Sequence, residues 1–294
     1  MTQAKTPTID ESVAAYLRTL SGANKSASTI TAYRTDLAQF VAFLQETNCT
    51  IASPADVRRV DVAEYLAHLS DRDISGTTRA RKLAAIREFF RFLEAEGLVV
   101  TNPTLGVATP KKERGSRTAL RSDEYTKLLS LAGANPRDYA ILQVFLQTGI
   151  RVSELCDLTR EDIDFERRLL RIASGKGMKT RTIELEKKGI QAIKSYLAVR
   201  PESLSNALFL NYQGEPISGR GIRKMLDKYL KASGITKKIS PHSLRHTFAT
   251  YKAERGVSPY ALREWLGHAR LDTTQIYVHM ARENTKKAME ATSL

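Results

Sequence analysis

Apolar residues return every three or four positions through the start of the chain. Val13, Tyr16, Leu17 and Leu20 form one such stripe after an acidic start at Asp10. Ile30, Tyr33, Leu37, Phe40, Val41 and Leu44 form a second. This spacing gathers the apolar side chains on one face of a helix. A third helix is expected near Asp56 to Leu69, introduced by Ser53-Pro54, and a fourth runs through Leu83, Ile86, Phe90 and Leu93 with Gly97 as its stop. Four amphipathic helices bury their apolar faces by packing into a small bundle.

The pattern then breaks. "TNPTLGVATPKKERGSRTALRSDEY" holds two prolines, two glycines and a basic cluster at Lys111, Lys112 and Arg114. It reads as an exposed linker over residues 102–118. A new helix is expected from Ser122, with Asp123 and Glu124 in its first turn. Beyond it the periods are mixed. "DYAILQVFLQTG" reads as a buried helix, and "RRLLRIAS" and "KTRTIEL" as two short strands joined around "GKGM". Helices are expected near 187–199, 219–233, 240–255, 258–266 and 272–280. The chain is therefore expected to be mainly α with a small β-sheet. A helical part spans residues 1–101, the linker 102–118 and a mixed α+β part 119–294.

Charge sharpens this division. The 294 residues carry a formal net charge of +14. Residues 1–110 hold 12 basic and 12 acidic residues, so the whole excess falls on the second part, which holds 34 and 20. Such asymmetry points to a polyanion, nucleic acid above all. Within the neutral part, Arg79, Arg81, Lys82, Arg87 and Arg91 lie on or before the fourth helix. They fit a DNA-facing surface or an ordinary solvated face equally well. No run of apolar residues is long enough for a membrane span, and the polar start "MTQAKTPTIDES" reads as no secretory signal. Only Cys49 and Cys156 occur, without metal-ligand spacing. A cytoplasmic location is the expectation.

Several residues can carry chemistry. Ser240 can cap a helix beginning at Pro241, which sets His242 and Arg245 three apart on one face near a helix N-terminus, a good seat for phosphate. His242 and His246 have metal-ligand spacing, but Ser243 stands where a zinc hydrolase needs Glu, and His246 reads better as structural. Gly149 ends the buried helix, Arg151 opens the next, and Glu154 is placed to pair with Arg151. That pair is either a surface ion pair or an arginine aimed at a ligand and held by a carboxylate. Lys176 sits between two glycines at the hairpin tip, as an acid or a phosphate contact, with Lys179 and Arg181 near enough to share the role. Gly267 can stop a helix, leaving His268 in a loop, and Asp272 and Gln275 can cap a new helix that carries Tyr277. Taken alone, Tyr277 reads as core.

The order changes that reading. "TGIRVSEL", "GKGMKTRTIEL", "PHSLRHTFAT" and "WLGHARLDTTQIYVHM" together resemble the tyrosine recombinase (phage integrase) family, and its Xer-type members in particular. The likeness spans the second part of the chain, while the helical part is more loosely similar to the family's SAM-like core-binding domain. The resemblance implies that Arg151 and Arg245 are catalytic arginines, Lys176 the hairpin lysine, His242 and His268 the two histidine positions, and Tyr277 the nucleophile. Glu154 matches the acidic position three residues after the first arginine. It further implies site-specific recombination of duplex DNA through a 3′-phosphotyrosine and a Holliday junction. Neither metal nor ATP is required, because the guanidiniums meet the phosphate charge and the phosphotyrosine stores the bond. Lower-ranked DNA contacts are Arg79, Arg81, Lys82, Lys111, Lys112, Lys179 and Arg181. Four protomers would act together, each lending the tail after Tyr277 to a neighbour, with accessory proteins as further partners and no membrane. Two readings keep some of these residues for other ends: relaxation of DNA in the manner of a type IB topoisomerase, and DNA binding without catalysis.

Overall fold

In a computed structural model of the chain, residues 7–48, 50–111, 118–173 and 180–267 are described. Lys112, Lys176, Lys179, His268 and Tyr277 lie outside them, as do Cys49, the expected 272–280 helix and the tail. The chain divides into two units, Met1–Gly115 and Ser116–Leu294.

The first unit is a helical bundle. Helix α1 (Ile9–Gly22) starts from Thr8, whose hydroxyl accepts the Glu11 N–H while the Glu11 carboxylate accepts the Thr8 N–H. Helix α2 (Ala27–Thr47) is capped by Ser26, and α4 (Gly76–Ala95) by Ser75. Helix α3 (Arg59–Asp71) begins later than the apolar pattern suggests. The reason is local: the Asp56 carboxylate takes the N–H groups of Ala52 and Ser53 and closes Pro54–Asp56 into a separate 3-10 turn. Leu37, Phe40, Leu83, Ile86, Phe89, Phe90 and Leu93 are fully buried between the helices. The expected linker does not start at Asn102. Asn102, Thr104 and Val107 are buried, with Asn102 Oδ1 accepting from the Thr104 N–H and hydroxyl and Arg87 donating to the Val107 carbonyl. This stretch belongs to the bundle because its polar groups satisfy each other and Val107 joins the apolar cluster.

Lys82 also departs from expectation. It is 5% exposed, and its ammonium donates to Asp36 Oδ1 at 2.9 Å and to Gln39 Oε1. Arg81, half exposed, donates to the other oxygen of Asp36. Lys82 is therefore an interior tie between α2 and α4 rather than a surface contact for DNA: a buried ammonium is tolerated only with its counter-charge.

The second unit wraps a three-stranded antiparallel sheet with helices. Helices α5 (Ser122–Ala132), α6 (Pro136–Thr148) and α7 (Val152–Asp157) lead into strands β1 (Ile163–Asp164), β2 (Leu169–Ile172) and β3 (Arg181–Glu184), in the order β1-β2-β3. Leu170 pairs with both Ile163 and Ile183, which puts these three on the covered face. Helices α8 (Lys187–Leu197), α9 (Gly219–Ser233), α10 (Pro241–Glu254) and α11 (Pro259–Leu266) follow. Helix α6 is the centre of the unit: it packs on α5, α8 and α10, and Ala140, Ile141, Leu142, Val144 and Phe145 are fully buried. Apolar residues around most of its circumference leave it no solvent face. Asp138 in its first turn is buried as well, held by Arg137 and by the Tyr229 hydroxyl of α9 at 2.9 Å. No helix among the described residues is long and apolar enough to cross a membrane.

Removing the Asp36 carboxylate leaves the Lys82 ammonium buried without a counter-charge. Asp36→Ala should lower unfolding stability by about 3–5 kcal/mol. Asp36→Ala with Lys82→Met should recover most of that loss, as read from urea unfolding midpoints.

Candidate active site

The site forms where the end of α6, the start of α7, strand β3, helix α10 and the end of α11 meet. Gly149 terminates α6 in the left-handed conformation, with φ +59°. A β-carbon there would fall 2.5 Å from Phe248 Cδ1 and 2.8 Å from Leu266 Cδ2, so glycine is required by space as well as by backbone. The chain thus turns at once into Arg151, the N-cap residue of α7. The Arg151 N–H donates to Glu154 Oε2 at 2.9 Å, and its Nη1 to Glu154 Oε1 at 2.6 Å. Both bonds run from Arg151 to Glu154, and together they fix the carboxylate one helical turn ahead of the arginine it orients.

Three arginines then converge on one helix terminus. Helix α11 ends at Gly267, also left-handed at φ +60°, and its last carbonyls have no partner within the helix. Arg181 Nε donates to the Trp265 carbonyl at 2.7 Å, Arg245 Nη2 to that of Leu266 at 2.5 Å, and Arg151 Nη2 to that of Gly267 at 2.8 Å. Arg245 Nη1 reaches back to the Gly149 carbonyl at 2.7 Å. Cationic groups at a helix C-terminus are favoured by its partial negative charge. Phe248, Ala249, Ala253, Leu262 and Leu266 supply the apolar contact that holds α10 against α11.

Glu154 is buried at 7% exposure and also receives Arg181, whose Nη1 meets Oε1 at 3.0 Å and Nη2 meets Oε2 at 2.7 Å. Burial alone pushes its carboxyl group up. The hydrogen bonds from the Arg181 guanidinium, the Arg151 N–H and the Arg151 guanidinium, together with the charge of Arg181, more than offset this and hold it down at about 2. Three guanidiniums against one carboxylate leave a net positive pocket in a low-dielectric setting, which suits a phosphate group. Arg151 meets solvent with 31% of its side chain, whereas Arg245 is 4% exposed. His242, in the first turn of α10 and three residues before Arg245, is exposed.

The structure therefore joins Arg151, Glu154 and Arg245 as the sequence suggests, and adds Arg181 in a different capacity. The sequence offers Arg181 as a contact to DNA or a substitute for Lys176. In the fold it is 7% exposed, with all three guanidinium nitrogens donating to Glu154 or Trp265. The signal is present in "RTIEL": Arg181 shares its strand parity with the buried Ile183 and Leu185, so it points inward with them. The carbonyls of Gly149, Trp265, Leu266 and Gly267 carry no side-chain signal, and no reading of residue types finds them. Among the lower-ranked contacts, Lys111 is exposed, Arg79 is partly buried and Arg81 is engaged by Asp36.

The low Glu154 value has a sign that can be checked. A carboxyl group held below its unfolded value near 4.5 stabilises the fold above that pH, and the contribution fades as pH falls toward 2. The shift corresponds to something on the order of 3 kcal/mol. Glu154→Gln should flatten the dependence of unfolding stability on pH between about 4.5 and 2, measured by denaturant melts at stepped pH.

Comparison with known proteins places this geometry. The model of the phage integrase family matches residues 118–284, and that of the phage integrase N-terminal SAM-like domain matches residues 13–97. The tyrosine recombinase XerC of Pelotomaculum thermopropionicum is 38% identical over 247 residues, covering 80% of each chain. The crystal structure of XerA recombinase matches with a TM-score of 0.55 at 28% identity, over 97% of this chain and 99% of that one. The integrase of transposon Tn1549, solved with a circular intermediate DNA, has a similar fold, with a TM-score of 0.78 at 21% identity over 95% of this chain and 99% of that one. With both domains matched in order and a relative 38% identical over 80% of each chain, the chain belongs to the phage integrase family, among its Xer-like tyrosine recombinases.

Proposed function

We propose that the protein is a site-specific DNA recombinase that cuts and rejoins duplex DNA through a covalent bond between Tyr277 and a 3′-phosphate. The observation that carries this reading is the seating of Arg151 and Arg245 on consecutive carbonyls, Gly267 and Leu266, directly before the segment that bears His268 and Tyr277. Two fixed guanidiniums held at one point, with a buried carboxylate setting one of them, are what a phosphodiester in transition needs: charge builds on its non-bridging oxygens, and prepositioned donors stabilise it there.

The chemistry follows from the residue types. Arg151 and Arg245 clamp the non-bridging oxygens, and His268 donates a further hydrogen bond. The Tyr277 oxygen attacks phosphorus and gives up its proton to His242. The bond from phosphorus to the 5′-oxygen breaks, and Lys176 protonates the departing oxygen. The nucleophile needs this basic surrounding because an ordinary phenol, with a pKa of about 10, is almost wholly protonated at neutral pH. The reverse attack by a 5′-hydroxyl rejoins DNA, so the bond energy is kept in the phosphotyrosine. The relatives named XerC and XerA and the DNA-bound integrase fold support DNA as the partner. In our reading, four copies assemble on two sites, exchange strands in pairs through a Holliday junction and share their C-terminal tails. Arg79, Arg81, Lys111 and Lys112 contact the duplex backbone. The enzyme works in the cytoplasm, where its DNA is.

The test is covalent capture on nicked suicide substrates. Wild type should form a protein–DNA adduct, and Tyr277→Phe should form none; an adduct from Tyr277→Phe sinks the assignment. Arg151→Ala and Arg245→Ala should each slow adduct formation by roughly 100-fold or more while retaining most DNA affinity. A paired-site plasmid should yield recombinants that a siteless plasmid does not, which separates recombination from simple relaxation. A 5′-phosphorothiolate at the scissile position, whose sulfur leaves without a proton, should restore cleavage by Lys176→Ala. No restoration would move the acid to Lys179 or another group.

A further inference from the structure

We propose that Arg181 is a positioning residue of this active site: it neutralises Glu154 and fixes the end of α11, which leaves the charge of Arg151 for the scissile phosphate. The inference rests on the recombinase reading and deepens it.

Charge accounting comes first. Glu154 accepts four hydrogen bonds, two from Arg151 and two from Arg181. With Arg151 alone, the buried carboxylate and the guanidinium would cancel. In a low-dielectric pocket Arg151 would then be held to Glu154 as an ion pair with little left for a ligand. Arg181 supplies a second positive charge and keeps the trio net cationic. The division of labour is visible in exposure: the Arg181 side chain is 6% exposed and that of Arg151 31%. The buried arginine balances the carboxylate, and the open one faces the ligand.

Geometry adds a second task. Arg181 meets Glu154 as a fork on both oxygens while its Nε holds the Trp265 carbonyl. A single side chain thus ties β3 to the start of α7 and to the end of α11. A β-carbon on Gly267 would stand 3.2 Å from Arg181 Nη1, so the backbone at Gly267 passes directly over this guanidinium. A lysine, with one compact ammonium, cannot make the fork and the third bond together.

The experiment compares Arg181→Met, Arg181→Lys and the double variant Arg181→Met with Glu154→Gln. Single-turnover adduct formation is measured on suicide substrates bearing either a phosphodiester or a methylphosphonate at the scissile position. Arg181→Met should slow cleavage of the phosphodiester roughly 10- to 100-fold, with DNA affinity and its salt dependence little changed. Arg181→Lys should recover only part of the loss. The double variant, in which both buried charges are gone, should be faster than Arg181→Met. The gap between wild type and Arg181→Met should shrink on the methylphosphonate, which lacks one charged oxygen and needs less positive charge. Thermal melts show whether Arg181→Met folds; if it does not, Arg181→Lys and the double variant carry the comparison. Equal losses on both substrates with no recovery in the double variant would overturn the proposal in favour of a merely structural arginine. Lower DNA affinity with a shallower salt dependence would overturn it in favour of a direct phosphate contact. Absence of an adduct from wild type, or an adduct from Tyr277→Phe, would sink the recombinase reading itself, an outcome distinct from either of these.

Discussion

Everything at the candidate site depends on how one short helix ends. Helix α11 is eight residues long, and the three carbonyl groups at its end are taken by arginines from β3, α10 and the α6–α7 junction. A helix of that length has little stability of its own. What holds it is apolar contact with α10 and these charge-assisted bonds. The dependence runs both ways, since the same carbonyls aim the guanidiniums. Glu154 closes the arrangement by joining Arg151 to Arg181. Gly149 makes it compact, because its left-handed turn sets the carbonyl that receives Arg245 two residues from Arg151.

Much of this is legible in the order of residues alone. The helix start at Ser240 and the stops at Gly97 and Gly149 are written in the sequence, while the caps Thr8, Ser26 and Ser75 emerge from the structure. The two sheet strands that pair through Leu170 and Ile183 follow the apolar pattern of "RRLLRIAS" and "KTRTIEL". The arginines and the acid of the site are legible only because four segments, taken in order, resemble the phage integrase family; singly, each residue has an ordinary reading. What misleads is the assumption that charge means surface. Lys82 and Arg181 are long cations that read as contacts for DNA, yet both are interior. Each sits beside an apolar neighbour in a stripe that faces the core, and each has an acidic partner far away in sequence, Asp36 and Glu154. Such pairing over 46 and 27 positions is set by tertiary packing and leaves no local trace. Strand β1 escapes the sequence for a related reason: two residues give no period to read.

The two units solve one problem with the same chemistry. In each, a buried carboxylate receives two cations, Asp36 from Arg81 and Lys82, Glu154 from Arg151 and Arg181. In each, one of the two cations is buried and the other is partly open. An apolar core could supply the same stability without fixing the direction of any polar group. A carboxylate with a fork of donors fixes direction, and a protein that reads phosphate needs its cations aimed.

The arginine-held end of α11 also governs how the molecule opens. Helix ends ordinarily fray one turn at a time, independently of the rest of the fold. Here the last turn cannot loosen without uncapping Arg151, Arg181 and Arg245 together, and so without disturbing β3, α7 and α10. Fraying at Gly267 is thereby coupled to the start of α7, to β3 and to α10. The chain beyond it departs from a point tied to three other elements, although that point lies at the end of a two-turn helix.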